Sequence, residues 1–195
     1  RAQPPDRQCG QQRDRPLDRN ERRPRTLTDT PIREGPSWTG APPGVPVLYY
    51  EDLDDGHEQW GGQIIVDRDE MLAFAHEYDP WPFHVDEDLA KESVFGDLVA
   101  SGGYTISLWF KLGHQLLNDF GEVWALMGGL ELKIRFVRGV KAGDDLRFMR
   151  RVTSKRPSSK PGRGVIFIHS EIVDQKTGDP VLTLDEVVLI ARREH

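Results

Sequence analysis

The chain of 195 residues carries 26 Lys and Arg against 32 Asp and Glu, with six His and one Cys, for a net charge of −6. This length suits one domain with an appendage, no apolar run approaches the ~20 residues that span a bilayer, and the lone Cys9 excludes an internal disulfide. A reducing, cytoplasmic setting is expected, with no membrane partner.

Charge is segregated along the chain. Residues 46–132 hold eighteen acids against three bases, while residues 133–163 hold eleven bases against Asp144 and Asp145. So acidic a central half argues against a nucleic-acid partner. The basic block suits either a solvated sheet face or a grip on an anionic small molecule.

Residues 1–46 contain nine of the fourteen prolines, nine Arg and few large apolar residues. Such a composition cannot offset ordering entropy, so a disordered extension is expected there, with the domain at 47–195. Leu48-Tyr49-Tyr50 suits a short strand or extended entry, and Gly61-Gly62 leads into a second strand at Gln63–Val66. Asp67 is positioned to cap a helix, with Glu70 completing a capping box. That helix carries Met71, Leu72, Phe74 and Ala75 on its apolar side and stops before Pro80.

Pro80 and Pro82 fix φ at alternate positions and push Asp79 and Trp81 out of helical conformation, which predicts an irregular turn holding Asp79 and His84. Asp86 is expected to cap a short helix running through Leu89, Ala90 and Val94. The main helix opens at Ser101 or Gly102 and ends near Asn118–Gly121. Tyr104, Leu108, Leu112 and Leu116 fall at i, i+4 steps, and Ile106, Trp109, Phe110 and Leu117 widen the apolar arc, so this helix should be buried.

Beyond it the period changes to two. Leu130, Leu132, Ile134 and Phe136 alternate with Glu131, Lys133 and Arg135, which predicts a strand with one dry and one wet face. Further strands are expected at Asp145–Ser154, Val165–Gln175 and Val181–Ala191. The fold class is therefore α+β, a curved antiparallel sheet wrapped around one long helix. A single sheet of this kind leaves an apolar face and a free edge, so a homodimer is expected.

Asp79 and His84 are the candidate acid–base pair. An Asp and a His five residues apart are commonly no more than solvated surface groups; here the prolines between them, Phe83 and the downstream Gly102-Gly103 supply context. A helix N-terminus presents unpaired N–H groups and partial positive charge. Glycines at that position let a ligand oxygen approach the backbone, or let the helix start pack tightly. With an acid–base pair nearby, such a donor suits chemistry that develops negative charge on a carbonyl oxygen. His57, His76, His114 and His169 are scattered and read as surface or packing residues. The sequence offers no convincing cluster of metal ligands, and no metal or other cofactor is expected.

The run Tyr78-Asp79-Pro80-Trp81-Pro82-Phe83-His84-Val85-Asp86, then Phe95-Gly96, then Ala100-Ser101-Gly102, resembles the hydratase motif of the MaoC-like dehydratases and (R)-specific enoyl-CoA hydratases. The usual form of that motif is roughly D-x-N-P-x-H-x-D followed by F-x-x-x-[IL]-[AV]-H-G. The resemblance extends over about residues 47–192 and includes the turn at Phe136–Asp144. It implies a hot-dog fold, a dimer and an acyl-CoA or acyl-carrier thioester as substrate. It further implies that Asp79 and His84 are catalytic and that the Gly102 N–H contacts the thioester oxygen. Ser101, Gly103, Trp81 and Phe83 stand beside them as candidate substrate-binding residues. Trp81 occupies a position where the motif often has Asn, and Ser101 one where it often has His.

Two other activities fit the same residues. A hot-dog thioesterase would use a carboxylate to direct water at the carbonyl, and a non-catalytic module would bind an acyl thioester with Trp81 or Phe83 filling the pocket. The paired Asp79 and His84 favour hydration.

Overall fold

The computed structural model describes residues 45–193. The expected disordered extension lies outside the described residues except for its last two. The described residues form seven strands, four α-helices and one 3-10 turn (Tyr50–Asp52): β1 (Val47–Leu48), β2 (Glu58–Ile65), α1 (Arg68–Tyr78), α2 (Pro82–Val85), α3 (Glu87–Glu92), α4 (Gly102–Phe120), β3 (Val123–Trp124), β4 (Leu126–Phe136), β5 (Asp145–Pro157), β6 (Arg163–Asp174) and β7 (Pro180–Ala191).

Five strands form one antiparallel sheet in the order β2-β5-β6-β7-β4, while β1 and β3 make a separate two-residue parallel pair. The sheet with its single long helix is the hot-dog arrangement that the resemblance implied. α4 lies against β2 and β5. Close approach there depends on two glycines of β2. A Cβ on Gly61 would stand 2.6 Å from Leu116 Cδ1, and one on Gly62, whose φ is +61°, would stand 2.6 Å from the Leu112 carbonyl oxygen.

Leu108, Leu112 and Leu116 of α4 pack with Leu146, Phe148, Ile172, Leu182 and Leu184 of the sheet in the main core. A second apolar cluster gathers Tyr50, Leu53 and Trp124 over Val152, Ile166, Ile168 and Ile190. Between the two clusters runs a polar row: Gln59 on β2 faces Arg150 on β5, Arg150 faces Ser170 on β6, and Ser170 donates to the Glu186 carboxylate of β7 at 2.7 Å.

Several local expectations are revised. Asp67 does cap α1, accepting the Glu70 N–H at 2.8 Å, and Asp86 caps α3, but α3 stops at Glu92 and leaves Val94 exposed. The turn bearing His84 is a single helical turn, α2, with Pro82 at its start, where the missing N–H costs nothing. Strand β2 begins before the glycines and runs through them as a bulge. At β4 the sheet keeps the apolar face and free edge expected of it: Leu130, Leu132 and Phe136 are all about half exposed on this edge strand in the isolated chain.

Candidate active site

α1 ends where Pro80 forbids its continuation. Asp79 donates its backbone N–H to the Ala75 carbonyl, closing the last turn, and then adopts φ −155°. The Trp81 N–H returns to the Asp79 carbonyl at 2.8 Å, and the His84 N–H to the Trp81 carbonyl at 2.8 Å. These short-range bonds fold the proline segment back on itself and bring the two side chains together. His84 Nε2 lies 3.7 Å from Asp79 Oδ2; the histidine side chain is 9 % exposed and the aspartate side chain 35 %.

The other imidazole nitrogen is held from a different segment. His84 Nδ1 is 2.8 Å from the Val99 carbonyl oxygen, inside the protein. Residues 98–101 are themselves fixed on both sides: the Val99 N–H donates to the Phe83 carbonyl, and the Ala100 N–H to the Val140 carbonyl at 2.7 Å. Gly139 is required beside them, because a Cβ there would stand 2.7 Å from Val99 Cγ1. Phe83 meets the His84 ring edge-on at 4.5 Å and packs on Phe95 at 5.2 Å.

Ser101, fully buried, accepts the Tyr104 N–H through Oγ at 3.1 Å and so caps α4. Its carbonyl takes both the N–H and the hydroxyl of Thr105. No hydrogen bond among the described residues uses the Gly102 N–H, so the first backbone donor of α4 is free. Both glycines also allow tight packing. A Cβ on Gly102 would be 3.1 Å from Phe136 Cζ, and one on Gly103 would be 3.1 Å from Phe74 Cε1. The two roles envisaged for this pair from sequence, close ligand approach and close packing, are compatible at Gly102.

Trp81 stacks in parallel on Phe83 with centroids 6.2 Å apart and is 61 % exposed, so it plugs no pocket within the chain. Tyr78, Phe95 and Phe136 are exposed around the same region. Two cavities, of about 690 and 500 Å³, lie elsewhere, and neither is lined by Asp79 or His84. His84 is thus buried and Asp79 about one-third exposed, beneath a rim of exposed aromatic side chains.

Part of the basic block is tied up within the fold. Arg138 donates to Asp144 and Asp174, Arg150 to Gln59, and Lys155 to Asp54, while Arg151 pairs with Glu58. These groups are committed within the fold, which leaves them poorly suited to phosphates. His169 is also committed, between Asp185 at 2.8 Å and Glu171 at 3.0 Å. Sequence reasoning missed Val99, whose contribution is a backbone oxygen without a side-chain signature, and Phe136, which reaches Gly102 only through the fold.

The family model described as "MaoC like domain" matches residues 55–167. A Rhodospirillum rubrum MaoC-like dehydratase of known structure is 30 % identical, with a TM-score of 0.67 over 76 % of this chain and 99 % of that one. An (R)-hydratase from A. caviae involved in PHA biosynthesis is 25 % identical, with a TM-score of 0.54 over 71 % of this chain and 97 % of that one. The uncharacterized protein YdeM of Bacillus subtilis is 32 % identical over 112 residues, 57 % of this chain and 77 % of that protein.

Proposed function

The chain belongs to the MaoC-like domain family, and from that premise we propose that it hydrates a trans-2-enoyl thioester, or dehydrates the 3-hydroxyacyl form, with an acyl-CoA as the substrate. The observation that carries this reading is the Asp79–His84 pair, 3.7 Å apart, with His84 anchored through its second nitrogen.

The chemistry follows from donor and acceptor counts. The Val99 carbonyl can only accept, so Nδ1 of His84 carries a hydrogen and Nε2 of the neutral ring presents a lone pair. The Asp79 carboxylate is likewise an acceptor. A water between them donates one hydrogen to each, which leaves its oxygen lone pairs directed away, toward the substrate. That oxygen attacks Cβ, the pair takes up one proton, and one proton returns to Cα. Negative charge on the thioester oxygen is met by the Gly102 N–H and the positive end of α4.

The part-exposed Asp79 under its aromatic rim and the exposed apolar face of β4 together support a homodimer. A second copy would cover Leu130, Leu132 and Phe136 and close the site over the aromatic rim.

The test is loss of enoyl absorbance when the full chain meets crotonyl-CoA and longer trans-2-enoyl-CoAs. Turnover is expected, with Asp79→Asn and His84→Asn each about 10²–10⁴-fold slower. Release of free thiol without hydration would instead make the protein a thioesterase. Binding without any turnover would make it an acyl-thioester-binding module.

A further inference from the structure

Residues 137–144 connect β4 to β5, and Arg138 stands near their start. Its guanidinium bonds three separate oxygens. Nη1 donates to the Gly139 carbonyl at 2.8 Å and to the Asp144 carboxylate at 2.7 Å, and Nη2 donates to the Asp174 carboxylate at 2.5 Å. One side chain thus joins the middle of the connection to its last residue and ties both to the end of β6. The carboxylates are mostly buried, with 18 % and 10 % of their side chains exposed. Each also holds backbone: Asp144 Oδ2 accepts the Lys141 N–H at 3.0 Å, and Asp174 Oδ1 accepts the Lys176 N–H at 2.8 Å.

The connection in turn holds residues 97–100. The Val140 carbonyl takes the Ala100 N–H, Lys141 Nζ pairs with Asp97 at 3.0 Å, and Gly139 leaves room for Val99. Val99 presents its carbonyl to His84 Nδ1 at 2.8 Å. The path from guanidinium to imidazole is continuous. It runs from Arg138 through the 139–144 backbone and residues 97–100 to His84, and each step is a hydrogen bond, an ion pair or a close packing contact.

The residue type matters here. A guanidinium offers five donors in one rigid plane, so it can serve two carboxylates and a carbonyl at once. A lysine keeps the charge as a point on a flexible stem and fixes no angle between its partners. A loosened connection would carry Val140 and Gly139 with it, and through them the Val99 carbonyl. The bond at one imidazole nitrogen decides which tautomer the ring adopts and how the other nitrogen is aimed. We propose that Arg138 is a positioning residue that, through the 139–144 backbone and the Val99 carbonyl, fixes the imidazole of His84 against Asp79. Its consequence for turnover rests on the hydratase reading above; its hold on the ring does not.

The experiment is NMR of the imidazole nitrogens in the full chain labelled at histidine, with His84→Asn identifying the His84 signals. The parent is expected to carry its proton on Nδ1 and to exchange it slowly with water. Arg138→Lys is expected to speed that exchange at least about tenfold. In crotonyl-CoA hydration the same variant is expected to lower kcat about tenfold and to leave KM within about twofold. Asp144→Asn, which keeps the shape of one partner and removes its charge, is expected to act in the same direction and less. Lys155→Met breaks the Lys155–Asp54 pair between β5 and the segment before β2, and serves as the control for general loosening.

Unchanged exchange in both Arg138→Lys and Asp144→Asn would overturn the assignment, as would an equal change in Lys155→Met. A faster-exchanging ring with unaltered kcat in an active protein would overturn the catalytic consequence. If Arg138→Lys fails to fold, Asp144→Asn against Lys155→Met decides. Exchange is read on the ring itself, so a parent without hydratase activity refutes the hydratase reading and leaves the test of Arg138 standing.

Discussion

The imidazole of His84 is tied to the backbone carbonyl of Val99 at 2.8 Å, fifteen residues further along the chain. This bond makes Nδ1 the donor and leaves Nε2 on the side of Asp79, because a carbonyl accepts and never donates. It also separates two functions that a histidine substitution usually removes together.

Asn and Ala at position 84 should therefore behave differently. The Asn amide can reproduce the Nδ1–H donor to Val99 but offers nothing at Nε2. His84→Asn should stay within about 1 kcal/mol of the parent stability and still lose about 10²–10⁴ in turnover. His84→Ala leaves the buried carbonyl unmet and should cost about 1–3 kcal/mol as well. Urea denaturation beside an enoyl hydration assay distinguishes them; equal stability of the two variants would show that the Val99 bond contributes little.

Gly139 acts on the same carbonyl from behind. Its missing Cβ makes room for Val99 Cγ1, 2.7 Å from where that carbon would be. Gly139→Ala should cost about 1–3 kcal/mol through overpacking. If Val99 yields, the His84 anchor moves with it, and turnover should fall without any change in the pair itself. A loss of stability with full activity would show that the strain is relieved elsewhere.

The pH dependence of stability should carry a signature from His169. Burial opposes its charge, but hydrogen bonds to Asp185 and Glu171 outweigh that, and the pKa is raised above the ordinary 6.5. A raised folded-state pKa means stabilisation that is complete below the unfolded value and lost as pH rises through the folded one. The Tm advantage of the parent over His169→Gln should thus be largest in mild acid and shrink on going alkaline. A constant difference across that range would mean that the imidazole does not change charge there.

Dimerisation is open to a direct test at β4. Leu132 is about half exposed on an edge strand, so Leu132→Lys should leave a folded chain in place. In sedimentation the variant should run as a monomer, and if a second copy closes the site its turnover should fall too. A dimer that survives the change would place the interface elsewhere.

Much of this was legible in the sequence, for definable reasons. The i, i+4 leucines of α4 and the alternation in the strands are dictated by burial, and burial is what hydropathy records. The proline turn joined Asp79 to His84 because its constraint is local. The cases that escaped are non-local. Leu130, Leu132 and Phe136 alternate as an apolar face should, and in one chain they stay about half exposed; periodicity tells which side is apolar and not what covers it. The basic block was left open between a solvated face and an anion grip because charge was counted along the chain, whereas Arg138 and Arg150 bond partners 36 and 91 residues away. The Val99 carbonyl has no side-chain signature at all.

The two glycines of β2 have a consequence well beyond their own strand. They act as notches that admit Leu116 and the backbone of Leu112, so α4 cannot slide along its axis without a collision. The helix is 19 residues long, about 28 Å at 1.5 Å per residue, and its far end carries the free Gly102 N–H. The placement of that donor relative to His84 is thus indexed from the opposite end of a rigid rod. In the proposed mechanism, substitutions remote from Gly102 would retune its contact with the thioester oxygen. A small residue replacing Gly61 should shift turnover before it unfolds the chain.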